Sequence, residues 1–259
     1  MLHLYNDHHL GDCLWTAHYA KHLVDHNVTL YVRPRYAREI AHLCSPCEHV
    51  VVRTTEAMST TKVEPINMWI GRNDYFYNSP LSNKYNEFYL DFFKHMSDYM
   101  CVGCPFVINQ DLLFDDYRID DTSNNPLAQP FDVLMIDSPG ESGQWLDMRS
   151  VDEFTKHLRS LGLQVVTTNT DTRREGLDLL QIAQLSVCCR YVVGINTAPL
   201  HMCFNVYNRL TCANWFVLDK DTGYSYPRTH HVRTVEELNA LRRFDWNGSD
   251  ITDWMSQHM

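Results

Sequence analysis

The chain has 259 residues, of which 44% are hydrophobic and 21% charged, and its formal net charge is −10. That length and apolar content can bury a real core, in one large domain or two small ones, and the acidic balance leaves no basic footprint for a nucleic-acid backbone, so nucleic acid is not an expected partner. The first residues lack the basic start and long apolar run of a secretory signal, and no stretch is long and apolar enough to span a bilayer, so a cytoplasmic protein is expected.

The first half alternates strand and helix signals. Residues 2–5 read as a short strand. Residues 13–26 place Leu14, Ala17, Ala20, Leu23 and Val24 at helical spacing, and 28–32 read as a second strand. A helix over 35–43 and a strand over 49–52 complete a β-α-β-α-β series, the pattern of a parallel sheet covered by helices. A fourth strand is expected over 66–70. Residues 75–99 are rich in Tyr, Phe and Asn without strand alternation and read as helical, their rings serving the core or stacking on a sugar or base.

An acidic, polar stretch with Asn124, Asn125, Pro126 and Pro130 as breakers divides the chain. The expected division is a first domain over 1–115, a linker over 116–130 and a second domain over 131–259. The second half repeats the alternation. Strands are expected over 131–136, 163–167, 191–195 and 212–218, and helices over 150–161 (closed by Gly162), 177–187 and 199–206. Both halves therefore read as small doubly wound α/β units. Ligands in such sheets bind beyond the carboxyl ends of the strands, which directs attention to the loops after Tyr5, Ile136, Thr167, Ile195 and Leu218.

Those loops carry chemistry. After Ile136 come Ser138, Gly140, Ser142 and Gly143, whose amides and hydroxyls suit phosphate oxygens. Asn196, Thr197, Ala198 and His201 follow Ile195, with a hydroxyl and free amides at a helix start. Thr168 stands directly after the strand ending at Thr167. Glu175 suits either a ribose hydroxyl or a solvated helix start. The first loop holds His8, His9, Gly11 and Asp12.

Nine cysteines, an odd number, scatter through core-like segments, which fits reduced thiols better than a disulfide framework. Cys44/Cys47 and Cys101/Cys104 have the local spacing of zinc ligands, but they lie far apart in the chain, and Pro46 and Gly103 make two turns with partly buried sulfurs the plainer reading.

The segment 182–204, with its Val-Gly-Ile-Asn-Thr-Ala-Pro-Leu-His run, resembles the donor-side motif of the heptosyltransferases, glycosyltransferase family 9. Leu10-Gly11-Asp12-Cys13-Leu14 is similar to that family's N-terminal loop, and Gln144-Trp145 to its central Lys-x-Trp segment. The resemblance implies a shortened, divergent GT-B architecture: two Rossmann-like doubly wound domains facing a cleft. It also implies a metal-independent inverting transfer with no cofactor, in which a nucleotide sugar is the donor and a glycan or other hydroxyl compound the acceptor.

On that reading Asp12 is the general base and His201 a second catalytic group. Ser138, Gly140, Ser142, Gly143, Thr168, Glu175, Asn196, Thr197 and Ala198 hold the donor, and His8, His9 and Gly11 the acceptor. The sequence departs from the motif where Asn196 replaces its Asp, Ala198 its Gly, and Gly143 its Lys. The lost lysine charge would have to come from Arg228, His230, His231, His8 or His9. These departures also suit a non-catalytic nucleotide or nucleotide-sugar binding protein on the same scaffold. Each residue has a plainer role as well: Asp12 a helix cap, His8 and His9 solvated loop residues, His201 a hydrogen-bonded core histidine.

Overall fold

The computed structural model describes residues 1–72, 85–107, 131–137, 148–168, 177–195, 197–205, 214–218 and 229–232. The expected linker lies outside these residues, as do Ser138, Gly140, Ser142, Gly143, Glu175, Asn196 and Arg228.

Two parallel sheets organise the chain. The first has four strands, β1 (Leu2–Asn6), β2 (Val28–Val32), β3 (Val50–Thr54) and β4 (Ile66–Asn67), in the order β3-β2-β1-β4. The second has five, β5 (Phe131–Ile136), β6 (Val165–Thr167), β7 (Cys189–Ile195), β8 (Asn214–Leu218) and β9 (Thr229–Val232), in the order β6-β5-β7-β8-β9. The described α-helices are α1 (Leu10–His22), α2 (Pro34–Cys44), α3 (Tyr85–Tyr99), α4 (Met148–Ser160), α5 (Leu179–Val187) and α6 (Ala198–Met202). Among the described residues every strand pair is parallel, so connections within a sheet must cross over it, as those from β1 to β2 and from β2 to β3 do through α1 and α2.

The expected α/β class holds, and the details differ where tertiary contacts win. α1 begins at Leu10 rather than residue 13, because His9, in extended conformation, is the N-cap. Asp12 thus occupies the third helical position instead of the cap. The strand expected over 66–70 shrinks to two residues, followed by a 3-10 turn at Ile70–Arg72. β9 has no counterpart in the sequence reading, since Thr-His-His-Val is too polar and short to announce a strand; it pairs with β8 from Trp215↔Thr229 to Leu218↔Val232.

Sequence pattern explains the packing. β5 is buried on both faces: Leu134 and Ile136 join the core shared with the first sheet, whereas Val133 and Met135 are buried on the opposite side of the pleat. Gly194 on β7 lies opposite Ile136 on β5. A Cβ there would stand 2.6 Å from Ile136 Cβ and 3.1 Å from Leu200 Cδ1, so only glycine lets the strand and α6 approach this closely. Gly162, at φ +85°, ends α4 in a conformation a side chain would strain.

α1 is buried on nearly all sides, from Cys13 to Lys21, because it packs against β1, β2, α2 and α6 at once. One hydrophobic cluster runs from Leu4 and Leu30 of the first sheet through α1 to Leu134, Ile136 and Val192 of the second. The two halves are also joined by polar contacts. Glu39 on α2 accepts a hydrogen bond from the Leu179 amide, and His42 lies 2.9 Å from Asp178, the N-cap of α5.

Candidate active site between α1 and α6

The turn after β1 is built around Asn6, which is fully buried. Its Nδ2 lies 2.9 Å from Thr16 Oγ1, 3.2 Å from the Asp12 carbonyl and 3.3 Å from the Met68 carbonyl, while Oδ1 accepts the His8 amide at 3.1 Å. Cys13 Sγ donates to the Asn6 carbonyl at 3.3 Å. One amide side chain therefore ties the end of β1 to the first turn of α1 and to the segment after β4. Sequence reasoning assigned Asn6 no role. The available signal was a polar residue ending an apolar strand directly before the loop of interest.

Asp12 is half-buried in that first turn. Burial pushes its carboxyl up to about 6, against the opposing effects of the nearby His9 charge, the His9 and Asp12 backbone amides, and the Tyr89 hydroxyl. The contact with the His9 amide is the one an acidic residue at the third helical position makes with its N-cap. A carboxylate tuned to about 6 is still mostly ionised at neutral pH and is a far better proton acceptor than a solvated one.

His8 and His9 are also half-buried, with ring centroids 4.0 Å apart, and His8 lies 3.9 Å from the Trp69 ring. Trp69 is seated by its amide bonding Asn67 Oδ1 at 2.9 Å, and Gly71 makes room for its ring: a Cβ on Gly71 would stand 2.6 Å from Trp69 Cζ2. The two histidines thus form a packed aromatic wall beside Asp12 rather than loose loop residues.

From the second sheet, α6 brings Ala198 and His201 to the same place. A Cβ on Gly11 would lie 3.4 Å from His201 Cε1 and 3.9 Å from the Ala198 amide nitrogen, so the first turn of α1 and the first turns of α6 are in van der Waals contact. Trp15, one turn beyond Asp12, has its ring 5.9 Å from that of His201. His201 is buried, and burial pulls its imidazole down to about 3, so it is neutral at physiological pH. It therefore brings a neutral ring to the site, not a positive charge. Thr197 is the N-cap of α6, half-buried and in extended conformation, and its carbonyl accepts the His201 amide at 3.1 Å.

The structure brings Gly11, and with it the helix turn that carries Asp12, against Ala198 and His201, almost two hundred positions away in the chain. Thr168 is placed at the carboxyl ends of β5 and β6, where its hydroxyl donates to Asp137 Oδ1 at 3.2 Å and its amide to the Met135 carbonyl at 3.0 Å, both groups being buried. Asp137 is a buried carboxylate at a strand end that the sequence reading left without a role. Among the described residues no three His, Cys, Asp or Glu side chains converge as a metal site requires, so the pairs Cys44/Cys47 and Cys101/Cys104 do not meet in one four-thiolate set. Cys44 is a core thiol, pushed by burial up to about 12. No described helix is long and apolar enough to cross a membrane.

Parallel α/β sheets covered by helices define a class of fold, and solved structures share it. No family model matches the chain, and no curated protein matches it in sequence. Solved structures do match. The glycosyl transferase family 9 protein from Veillonella parvula DSM 2008 superposes with a TM-score of 0.51 at 11% identity, over 90% of this chain and 85% of that one. The E. coli ADP-heptose lps heptosyltransferase II superposes with a TM-score of 0.50 at 13% identity, over 94% of this chain and 99% of that one. The fold is thus the one these glycosyltransferases use, consistent with GT-B architecture, and it extends over nearly the whole chain.

Proposed function

We propose that the chain is an inverting glycosyltransferase that moves a sugar from a nucleotide-sugar donor to a hydroxyl acceptor in the cytoplasm, in glycan or surface-polysaccharide synthesis. The observation that carries this reading is the contact, at Gly11, of the first turn of α1, which also carries Asp12, with the Ala198–His201 turn of α6. The fold shared with two glycosyltransferase structures supports it.

In the proposed reaction the Asp12 carboxylate takes the proton of the acceptor hydroxyl as its oxygen attacks the anomeric carbon. The bond to the nucleotide diphosphate breaks on the opposite face, and configuration inverts. His8 and His9 flank the acceptor. Thr197 and the α6 turn, with Ser138, Gly140, Ser142, Gly143 and Asn196, face the donor and its departing negative charge. Thr168 and Glu175 belong to the donor side of this proposal. No metal or other cofactor is part of it.

The test is direct. Purified protein is screened for thermal stabilisation by nucleoside diphosphates and nucleotide sugars, because a ligand bound only by the native state raises the melting temperature. The stabilising nucleotide sugar is then assayed for transfer and hydrolysis with wild type and Asp12→Ala. The expected outcome is stabilisation of both proteins and turnover by wild type alone. Replacement of the motif's Asp and Lys by Asn196 and Gly143 favours a second reading, a binding protein without turnover, and stabilisation with no turnover by wild type would select it.

A further inference from the structure

The strand order β3-β2-β1-β4 contains a reversal between β1 and β4: the chain runs outward from β1 through β2 to β3, then returns to the other side of β1 as β4. In a parallel α/β sheet the crevice beyond the carboxyl ends of two such strands is where ligands bind. One side of it here is the loop after β1, which leads through His8 and His9 into the Asp12 turn, and the other is Met68 and Trp69 after β4. The His8 ring, 3.9 Å from that of Trp69, joins the two sides. Asn6, the last residue of β1, has no solvent exposure, and its side-chain amide bonds to both. Toward α1 it accepts the His8 amide at 3.1 Å and donates to Thr16 Oγ1 at 2.9 Å and the Asp12 carbonyl at 3.2 Å; toward β4 it donates to the Met68 carbonyl at 3.3 Å. The Thr16 hydroxyl passes its own proton to the Asp12 carbonyl at 3.0 Å, so the Asp12 backbone is held twice.

We propose that Asn6 is a positioning residue of the site: through the His8 amide and the Asp12 and Met68 carbonyls it sets where the Asp12 turn stands relative to the His8–Trp69 pair, and so where an acceptor in the crevice stands relative to the carboxylate. The catalytic meaning of this rests on the reading of Asp12 as the base. The physical reason is that a primary amide donates and accepts at once from one rigid plane, so it can link backbone groups of opposite polarity on two separate segments. Asn6, Thr16 and Met68 are buried, and a polar group left without its partner there is costly, which keeps the links made. Asn6 acts through residues that face the crevice and not on the reacting atoms themselves. A misplacement of about 1 Å at a reacting group can cost about 10²-fold in rate, so a fastener that fixes the Asp12 turn bears on turnover.

The experiment is NMR of histidine-labelled protein, with His8→Gln assigning the His8 ring signals. Stacked on Trp69, those protons are expected upfield in wild type, and Trp69→Leu should abolish the displacement. Asn6→Ala removes the link between the two segments and should largely abolish it as well. Ser97→Ala is the control for lost stability alone: it removes a buried hydroxyl bonded to Tyr19 at 2.7 Å, away from the crevice, and should leave the His8 signals in place. Unmoved His8 signals in Asn6→Ala, or an equal change in Ser97→Ala, overturn the proposal. If Asn6→Ala does not fold, amide exchange in wild type decides: the His8 amide, bonded to Asn6, must exchange far more slowly than that of Asp25 in an exposed turn, and equal rates overturn the proposal. With a transferring donor in hand, Asn6→Ala should lower kcat by about 10²-fold while donor-induced thermal stabilisation is kept. Unchanged kcat in a variant whose His8 signals have moved also overturns the positioning role. Absence of turnover in wild type would instead remove the glycosyltransferase reading, and the His8 measurements, which use no turnover, would still decide whether Asn6 holds the crevice.

Discussion

The two turns that meet at the site solve opposite electrostatic problems. The turn after β1 keeps a carboxylate half-buried and surrounds it with donors, so that Asp12 stops at about 6. The turn after β7 buries an imidazole almost completely, and His201 falls to about 3. Desolvation favours the neutral form in both, raising the acid and lowering the base. What separates them is the compensation each receives. Asp12 has amides, a hydroxyl and a neighbouring histidine to moderate its burial, and it remains a group that can exchange a proton near neutral pH. His201 is a packing ring, beside Trp15 and Phe204, against which the α1 turn rests. Two groups whose environments push them in different directions are a common way for one site to divide its roles.

The largest expected effect breaks the comparison on the chemical side. Asp12→Ala should lower transfer by roughly 10²-fold or more, the usual contribution of a general base, with donor-induced thermal stabilisation retained. A near-normal turnover number in that variant would remove the acid-base distinction between the two turns.

The acid limb of stability sharpens it. His201 takes up a proton readily when unfolded, at about 6.5, and resists one when folded, so its contribution is complete above that value and is lost as pH falls toward 3. Urea melts of His201→Gln against wild type should show a shallower fall from about pH 6.5 to pH 4, the difference reaching about 3 kcal/mol over those roughly 2.5 units. Parallel curves would mean that the imidazole is accessible to protons in the native protein.

Glycine contacts give a third contrast. At Gly194 a Cβ would meet Ile136 at 2.6 Å, so Gly194→Ala should cost about 1–3 kcal/mol by overpacking. At Gly11 the approach to His201 is 3.4 Å and the position is helical, so Gly11→Ala should be close to neutral in stability, the gain in helix propensity offsetting the tighter contact. Equal losses in denaturant melts of the two variants would show the α1–α6 contact to be as tight as the β5–β7 one.

The smallest effect has the opposite sign to that of His201. The charged form of Asp12 is disfavoured by folding, so its cost is fully present above about pH 6 and is relieved as pH falls toward 3.8. Asp12→Asn should therefore stabilise the protein by about 1–2 kcal/mol at pH 8, a gain that fades through this window. Stabilisation at the cost of activity is the mark expected of a functional carboxylate. A destabilising Asp12→Asn would instead assign Asp12 to helix support.

Much of this was legible in the residues themselves. The apolar run over 131–136 marks a buried strand, and helical spacing marks α1, α2 and α4, because these patterns depend only on local geometry. Gly11, Asp12, Ala198 and His201 stood out as loop residues at strand ends for the same reason. Their order along the chain was readable, but their contact was not. It depends on α1 and α6 packing together across a core shared by two sheets, a long-range arrangement that no local pattern encodes.

The sequence by itself determined an acidic α/β chain with parallel sheets and the positions of its chemistry-bearing loops. Only the tertiary structure decided that Asn6 is the fastening of the first turn, that His8 leans on Trp69, that Tyr89 from a distant helix stacks on Trp15, and that His201 is neutral. The physical reason is that hydrogen bonding and desolvation are set by neighbours in space. A residue's proton affinity belongs to its surroundings as much as to its side chain.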